Sequence, residues 1–185
     1  MATYISLLRG INVSGHNLIK MDTLKKMYEN LGFENIKTYL QSGNVIFSGK
    51  ETDTKKIESK IAKQIEKDLG FIVPIIVLAS GQLQNILEQN PFTKDVRKDE
   101  GFLHITFLAY TPQDFDKKDI EARLHENEAA HFSTNAVYLY CPNGYGNTKL
   151  NNNFLEKKLQ VTATTRNWKT CKELLKLATE STSTL

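Results

Sequence analysis

Apolar positions along the chain follow two periods, and the places where one gives way to the other divide it into strands and helices. Tyr4 to Leu8 is a mostly apolar run of strand length. After a polar loop, Met21, Leu24, Met27, Tyr28 and Leu31 recur at helical spacing and mark one apolar face. Gly32 is placed to stop that helix in a left-handed conformation, with Phe33 as the apolar contact of a Schellman motif. Ile36 to Leu40 and Val45 to Phe47 read as a hairpin turned by Gln41, Ser42, Gly43 and Asn44. Asp53 or Thr54 caps a second helix, with Ile57, Ile61, Ile65 and Leu69 on one face, and Gly70-Phe71 repeats the stop. Val73 to Ala79 is apolar on both faces, which predicts an interior strand.

A short helix from Ser80 to near Pro91 and a charged linker, residues 93–101, lead to a second round of the same pattern. Phe102 to Ala109 alternates, with Leu103, Ile105, Phe107 and Ala109 on one face. Thr111 as cap and Pro112 at the first helical position predict a helix to about Glu126. Phe132 to Thr134 and Ala136 to Cys141 read as a hairpin around Asn135. Leu150, Phe154, Leu155 and Leu159 mark a helix, Val161 to Thr164 a strand, and Trp168, Cys171, Leu174, Leu175 and Ala178 a final helix. The Ser/Thr-rich tail after Thr179 is expected to fray. The order βαββαβ, met twice, predicts an α+β fold of two tandem ferredoxin-like units with antiparallel sheets. The expected divisions are residues 1–79, a connecting helix and linker 80–101, and residues 102–185. The repetition is architectural, since Leu-Gly-Phe is the one repeated run and both copies lie in the first unit.

Composition changes this picture little. A chain of 185 residues with 40% hydrophobic and 24% charged positions is that of a soluble globular protein. The longest apolar stretches, such as Phe71 to Ala79, are too short to span a bilayer, and the N-terminus lacks the basic start of a signal peptide. Cys141 and Cys171 sit in apolar contexts and read as free thiols of a reducing cytoplasm. The net charge is +3, but Lys149 to Lys176 holds seven basic residues against two Glu, while Asp95 to Glu128 holds five against nine acids. That asymmetry permits a phosphate-rich partner near the C-terminus, although two solvated surfaces of opposite sign are the commoner origin of such a pattern.

Candidate chemistry gathers in the loops. The loop from Arg9 to Asn17 is long for the end of a first strand, and it can present a guanidinium, amides and backbone N–H groups to an anion. Gly10 and Gly15 are spaced as in a P-loop, but His16-Asn17 stand where Lys-Ser/Thr would grip phosphate and magnesium, which argues against an ATPase or GTPase. Arg9 faces a ligand or ties down the loop, and Asn12 lies within it. At the hairpin tip Gly43 and Asn44 answer the turn's need for positive φ, whereas no turn type requires Gln41. Ser42 has no base beside it, and no catalytic residue is identified. Gly144 to Lys149 lies between a strand and a helix, with Lys149 at the helix head, where a cation opposes the dipole. Asn167 reads as the cap of the last helix, Trp168 as a core residue, and Arg166 as a cation at a positive helix end that calls for an anion or a carboxylate.

Four runs carry a resemblance to a known family: Leu8-Arg9-Gly10-Ile11-Asn12-Val13, Tyr39 to Val45, Gly144 to Leu150, and Ala163 to Trp168. Together, over essentially the whole chain, they resemble the bacterial domain-of-unknown-function family numbered 1697. The resemblance implies a tandem ferredoxin-like fold and brings no activity. His16, His104, His125 and His131 are scattered and the motif regions hold no acid, so neither a metal nor another cofactor is indicated. An RNA-recognition reading would place Tyr4 and Tyr39 with Ser6, and Tyr138 and Tyr140 with His104 and Thr106, on open sheet faces, but its signature is absent from Asn44 to Gly49. The leading expectation is one polar site, built from strand-end loops of both units, that holds a small anionic or phosphorylated ligand. Its candidate residues are Arg9, Asn12, Gln41, Ser42, Asn44, Lys149, Arg166 and Asn167. The alternatives are nucleic-acid binding along the basic C-terminal region and an enzyme of unidentified reaction.

Overall fold

Strand β1 (Ala2–Leu8) has no side open to solvent, because every residue from Thr3 to Leu8 is buried. Such a strand needs neighbours at both edges and on both faces. In the computed structural model, which describes residues 1–182, β1 pairs antiparallel with β3 (Asn44–Gly49) and β4 (Ile75–Ala79). β2 (Glu34–Tyr39) joins β3 to complete the order β2-β3-β1-β4. Helices α1 (Met21–Asn30) and α2 (Thr54–Leu69) bury their apolar faces in one core with Tyr4, Leu8, Val45, Phe47 and Val77. The stop of α1 follows its sequence. Gly32 is left-handed and donates to the Glu29 carbonyl, while Phe33 N–H reaches back to Tyr28, completing the Schellman motif. Within this core the Tyr28 hydroxyl and Ser6 Oγ share a 2.7 Å hydrogen bond, so neither polar atom is buried unsatisfied.

After α3 (Ser80–Glu88) and two 3-10 turns, the second sheet is built from β5 (Leu103–Leu108), β6 (Ala129–Phe132), β7 (Ala136–Tyr140) and β8 (Ala163–Asn167) in the order β6-β7-β5-β8. Helices α4 (Lys117–Glu121) and α5 (Asn152–Leu159) share a core with Leu108, Val137, Leu139 and Ala163 from this sheet. Helix α6 (Trp168–Thr182) closes the described chain. The result is a mixed α/β fold with two four-stranded antiparallel sheets and six α-helices among the described residues. Two compact units emerge, one from Met1–Gln84 with the chain from Glu173 onward, the other from Asn85–Lys172. The boundary between them falls within α6, at Lys172–Glu173.

The two sheets repeat one hydrogen-bond plan. Leu8 N–H donates to Gly43 O as Leu108 N–H donates to Asn135 O, and Arg9 N–H donates to Pro74 O as Ala109 N–H donates to Thr162 O. Ala109 therefore holds the backbone place of Arg9. The turn Leu40–Gly43, between paired Tyr39 and Asn44, corresponds to the shorter Thr134-Asn135, between Ser133 and Ala136. Edge strands are blunted alike in both units. Glu58 Oε1 accepts Val77 N–H at 2.9 Å on β4, and Glu156 Oε1 accepts Ala163 N–H at 2.9 Å on β8.

Several expected boundaries move. The helix expected from Thr111 to about Glu126 is only α4, because Asp116 rather than Thr111 caps it, accepting Asp119 N–H at 3.0 Å. The preceding residues form no helix, and Phe115 packs on Phe132, with ring centroids 5.5 Å apart. Beyond Ala122 the chain turns through left-handed Asn127. β6 ends where it was expected to begin, and β8 runs to Asn167 instead of stopping at Thr164. Of the tail expected to fray after Thr179, the described part is helical. Helix α6 continues to Thr182, with the hydroxyls of Thr179 and Ser181 bonded to the carbonyls of Leu175 and Leu177. Residues 183–185 of that expected tail lie outside the described residues.

The shared plan leaves one turn with no room for a side chain. A Cβ on Gly43 (φ +81°) would stand 2.7 Å from Leu8 Cβ and from Ile11 Cδ1, whereas one on Gly10 (φ +70°) would meet nothing within 4 Å. In denaturant titrations Gly10→Ala is expected to cost about 1 kcal/mol for its left-handed backbone alone. Gly43→Ala should cost roughly 3 kcal/mol or more, since overpacking adds to the same strain. Equal costs would contradict this account of the turn.

Candidate functional site

Where β1 ends, the chain enters a loop, Arg9–Lys20, that is fixed rather than slack. Ile11 and Ile19 anchor it in the core. Between them Asn12, left-handed at φ 54°, uses its whole amide group: Nδ2 donates to Ile19 O (3.0 Å) and to Gln41 O (2.8 Å), and Oδ1 accepts Ile19 N–H (2.8 Å). Asn17 Nδ2 donates to Gly10 O at 3.2 Å. Ser14 and Asn17 are also left-handed, a conformation that Asn tolerates better than most residues. The hairpin tip is held from beneath. Asn44, fully buried, donates from Nδ2 to Tyr39 O and to Ser42 Oγ, both at 2.9 Å. Leu40 is left-handed at φ 58°, and it and Gln41 are exposed.

Loop and hairpin enclose a recess of about 590 Å³ lined by Asn12, Leu18, Lys20, Asp22 and Gln41, among others, at the start of α1. Lys20 is the N-cap of α1 and makes no side-chain cap bond. First-turn N–H groups of a helix have no partner within the helix, and they carry the positive end of its dipole. Of the expected site residues in this unit, Asn12 and Gln41 line the recess. Ser42 and Asn44 serve as struts of the turn, and half-buried Arg9 begins the loop with its N–H on Pro74 O.

The second unit arranges its candidates differently. Arg166 and Asn167 are the last residues of β8, directly before α6, and strand alternation sends them to opposite faces, Arg166 with Ile105 and Asn167 with His104. The Arg166 guanidinium donates to Thr164 Oγ1 (2.8 Å) and Thr165 O (3.0 Å), and burial pushes its pKa down to about 10. Asn167 does cap α6, accepting Thr170 N–H at 2.8 Å. Lys149 is exposed and precedes Asn151, which caps α5, so it is not the helix-head cation that was expected.

Sequence reasoning missed a polar chain in this unit. Thr106 and Thr165 share a 2.8 Å bond between hydroxyls, Thr165 Oγ1 donates to Asn152 Oδ1 (3.0 Å), and Asn152 N–H donates to the Tyr145 hydroxyl (2.8 Å). His104 stacks on Tyr145 with centroids 4.7 Å apart, and burial lowers its pKa. The polar alternation of His104 and Thr106 was the available signal, but it was attached to the wrong partners. Tyr138 and Tyr140 pair with Ile105 and Leu103 and so occupy the other face, where the Tyr138 hydroxyl donates to Ile86 O. In the first sheet Tyr4 likewise lies with Ser6 in the helix-covered core, and Tyr39 lies on the opposite face, beside Asn44. The expected groupings of Tyr39 with Tyr4, and of Tyr138 and Tyr140 with His104, therefore do not form.

Cys141 and Cys171 are free and buried, and burial pushes their thiol pKa values up to about 11 and about 12. Among the described residues no group of three His, Cys, Asp or Glu could hold a metal ion, and no helix is long and apolar enough to cross a membrane.

A family model described as "Protein of unknown function (DUF1697)" matches residues 1–138. Among solved structures, the conserved bacterial protein SP0830 from Streptococcus pneumoniae is similar to this chain with a TM-score of 0.69 and 23% identity. The likeness covers 96% of this chain and 98% of that one, and at this identity it concerns the fold alone. No curated protein matches.

Two outcomes test these geometries. Asn12→Asp sets a carboxylate against two carbonyls in place of a donor, so unfolding should become easier by about 1–3 kcal/mol, and limited proteolysis should open the 9–20 loop. Unchanged stability and cleavage would refute the clamp. The lowered pKa of His104 makes the folded state bind fewer protons than the unfolded chain. Its contribution to stability is therefore present above the ordinary value of 6.5 and lost as pH falls through the folded value. Melting curves should show that loss for the parent chain and a flatter profile for His104→Gln, and identical profiles would exclude it.

Proposed function

The chain belongs to the DUF1697 family, and we propose from its own geometry that the first unit binds a small anionic ligand in the recess between the Arg9–Lys20 loop and the hairpin tip. One observation carries this reading: Lys20, Asn12 and Gln41 surround a cavity at a helix start whose cap supplies no side-chain acceptor. Backbone N–H groups in the first turn of a helix, with the dipole behind them, favour negative charge. Lys20 adds a cation and the Gln41 amide a neutral donor or acceptor. Asp22, the acid in the lining, favours a ligand that also offers a hydroxyl or amine, and it disfavours a highly charged anion. The residues that line the recess include no nucleophile paired with a base, so the reading is binding rather than turnover.

Within the same proposal each unit is a ferredoxin-like module, a reading supported by its βαββαβ core and by sheet orders in which the first and third strands are central. Buried free thiols support a cytoplasmic setting. The nucleic-acid reading draws less support, since two of its basic residues are engaged: Lys158 pairs with Asp119 and Lys172 with Glu100. The anion site of Arg166, Lys149 and the amides after Asn167 is likewise weakened as a proposal, because Asn167 itself occupies the Thr170 amide.

Titration of isotope-labelled protein with inorganic phosphate tests the reading. Amide shifts should concentrate on Lys20 to Thr23 and on the Gln41 side chain. Lys20→Glu should weaken binding roughly tenfold, the scale of reversing one charge at a helix start. Arg166→Ala should leave phosphate binding unaltered. Shifts confined to the C-terminal lysines, or none at millimolar phosphate, would defeat the proposal.

A further inference from the structure

The two units follow one hydrogen-bond plan, so each serves as a control for the other. At the end of the sheet where β1 and β5 finish, the second unit is spare: a two-residue turn, Thr134-Asn135, and a shorter connection, Ala109–Asp116. The first unit is enlarged at the same end twice over, in the turn Leu40–Gly43 and in the connection Arg9–Lys20. Both enlargements lead to the recess. They also leave large aliphatic side chains in water: Leu18, which lines the recess, is 67% exposed, and Leu40, the turn residue that precedes the recess-lining Gln41, is 55% exposed. Leu40 does so in a left-handed backbone conformation, where a leucine is strained by about 1 kcal/mol and an asparagine or glycine would serve the turn better. Turn chemistry therefore gives no reason for a leucine there, and burial in the core gives none either.

We propose that the ligand of this recess is an amphipathic organic anion, its charged head toward Lys20 and the start of α1 and its apolar body laid against Leu18 and Leu40. The inference rests on the anion reading above and adds the class of molecule. A bare inorganic ion would leave both leucines in water, whereas an aryl or alkyl group placed between them removes apolar surface from solvent on both sides. Burying part of a phenyl ring in this way strengthens binding by about tenfold. The polar clamp of Asn12 ties the backbone at Ile19, next to Leu18, to the backbone at Gln41, next to Leu40, which lowers the ordering cost of binding.

Paired titrations of the intact chain separate the two readings: inorganic phosphate against phenyl phosphate, and acetate against phenylacetate, followed by amide and methyl shifts. The apolar-bodied member of each pair should bind about tenfold more tightly than its bare counterpart and should shift the methyl groups of Leu18 and Leu40. Leu18→Ser and Leu40→Asn should each erase most of that advantage, bringing the two members of each pair to nearly equal affinity; asparagine suits the backbone of Leu40, so this variant keeps its fold. Equal affinities within each pair, or an advantage that survives both substitutions, would overturn the proposal while leaving anion binding intact. If no probe shifts the recess, both readings fail together.

Discussion

The central strands of both sheets are buried on both faces, and this constraint shapes the rest of the molecule. From Thr3 to Leu8 and from Ile105 to Leu108 no side chain reaches bulk water. Each strand must therefore find backbone partners along both edges and apolar or mutually bonded neighbours above and below. Ser6 meets this demand through Tyr28, and Thr106 meets it through Thr165. The outer strands inherit the same problem at their free edges, and Glu58 and Glu156 reach in from helices to take N–H groups that would otherwise invite another strand. Central strands occupied in this way leave no face for a ligand, and the recess proposed as a binding site lies instead among the loops at the strand ends.

At those ends the two units diverge. Their last ladder bonds match donor for donor, yet one carries Arg9, a long clamped loop and a four-residue turn where the other carries Ala109 and a two-residue turn. Three of the left-handed non-glycine residues fall in the Arg9–Lys20 loop, and a fourth, Leu40, falls in the facing turn. Conformations of this kind persist only where surrounding bonds over-determine them, and the Asn12 amide supplies three. A loop built this firmly holds its side chains in place before a ligand is bound.

What could be read from the sequence was what local chemistry decides. The β1 run, the Gly32 and Gly70 stops, the Asp53 cap and the Asn167 cap all depend on residues within one turn of chain. The length of α4 could not be read this way, because two acid-rich starts compete there and the packing of Phe115 on Phe132 favours Asp116. β8 was cut short because Thr165-Arg166-Asn167 has little apolar pattern, and its strand geometry comes from pairing with β5. Arg166 still directly precedes the cap of α6, but as a strand residue held by Thr164 and Thr165. Gln41 stood out because no turn requires it, and the recess gives it a place. The clamp of Asn12 was hidden, since it needs Gln41 O, which lies far along the chain.

The claim that recognition is confined to the elaborated end of the first unit is open to a direct look. Crystals soaked in tungstate, a heavy tetrahedral oxyanion, would reveal bound anions by their anomalous scattering. The account predicts a strong peak in the recess, beside Gln41 and over the amides of Lys20 to Thr23. Peaks only at the turn of Thr134-Asn135 or along the C-terminal lysines, with that recess empty, would contradict it.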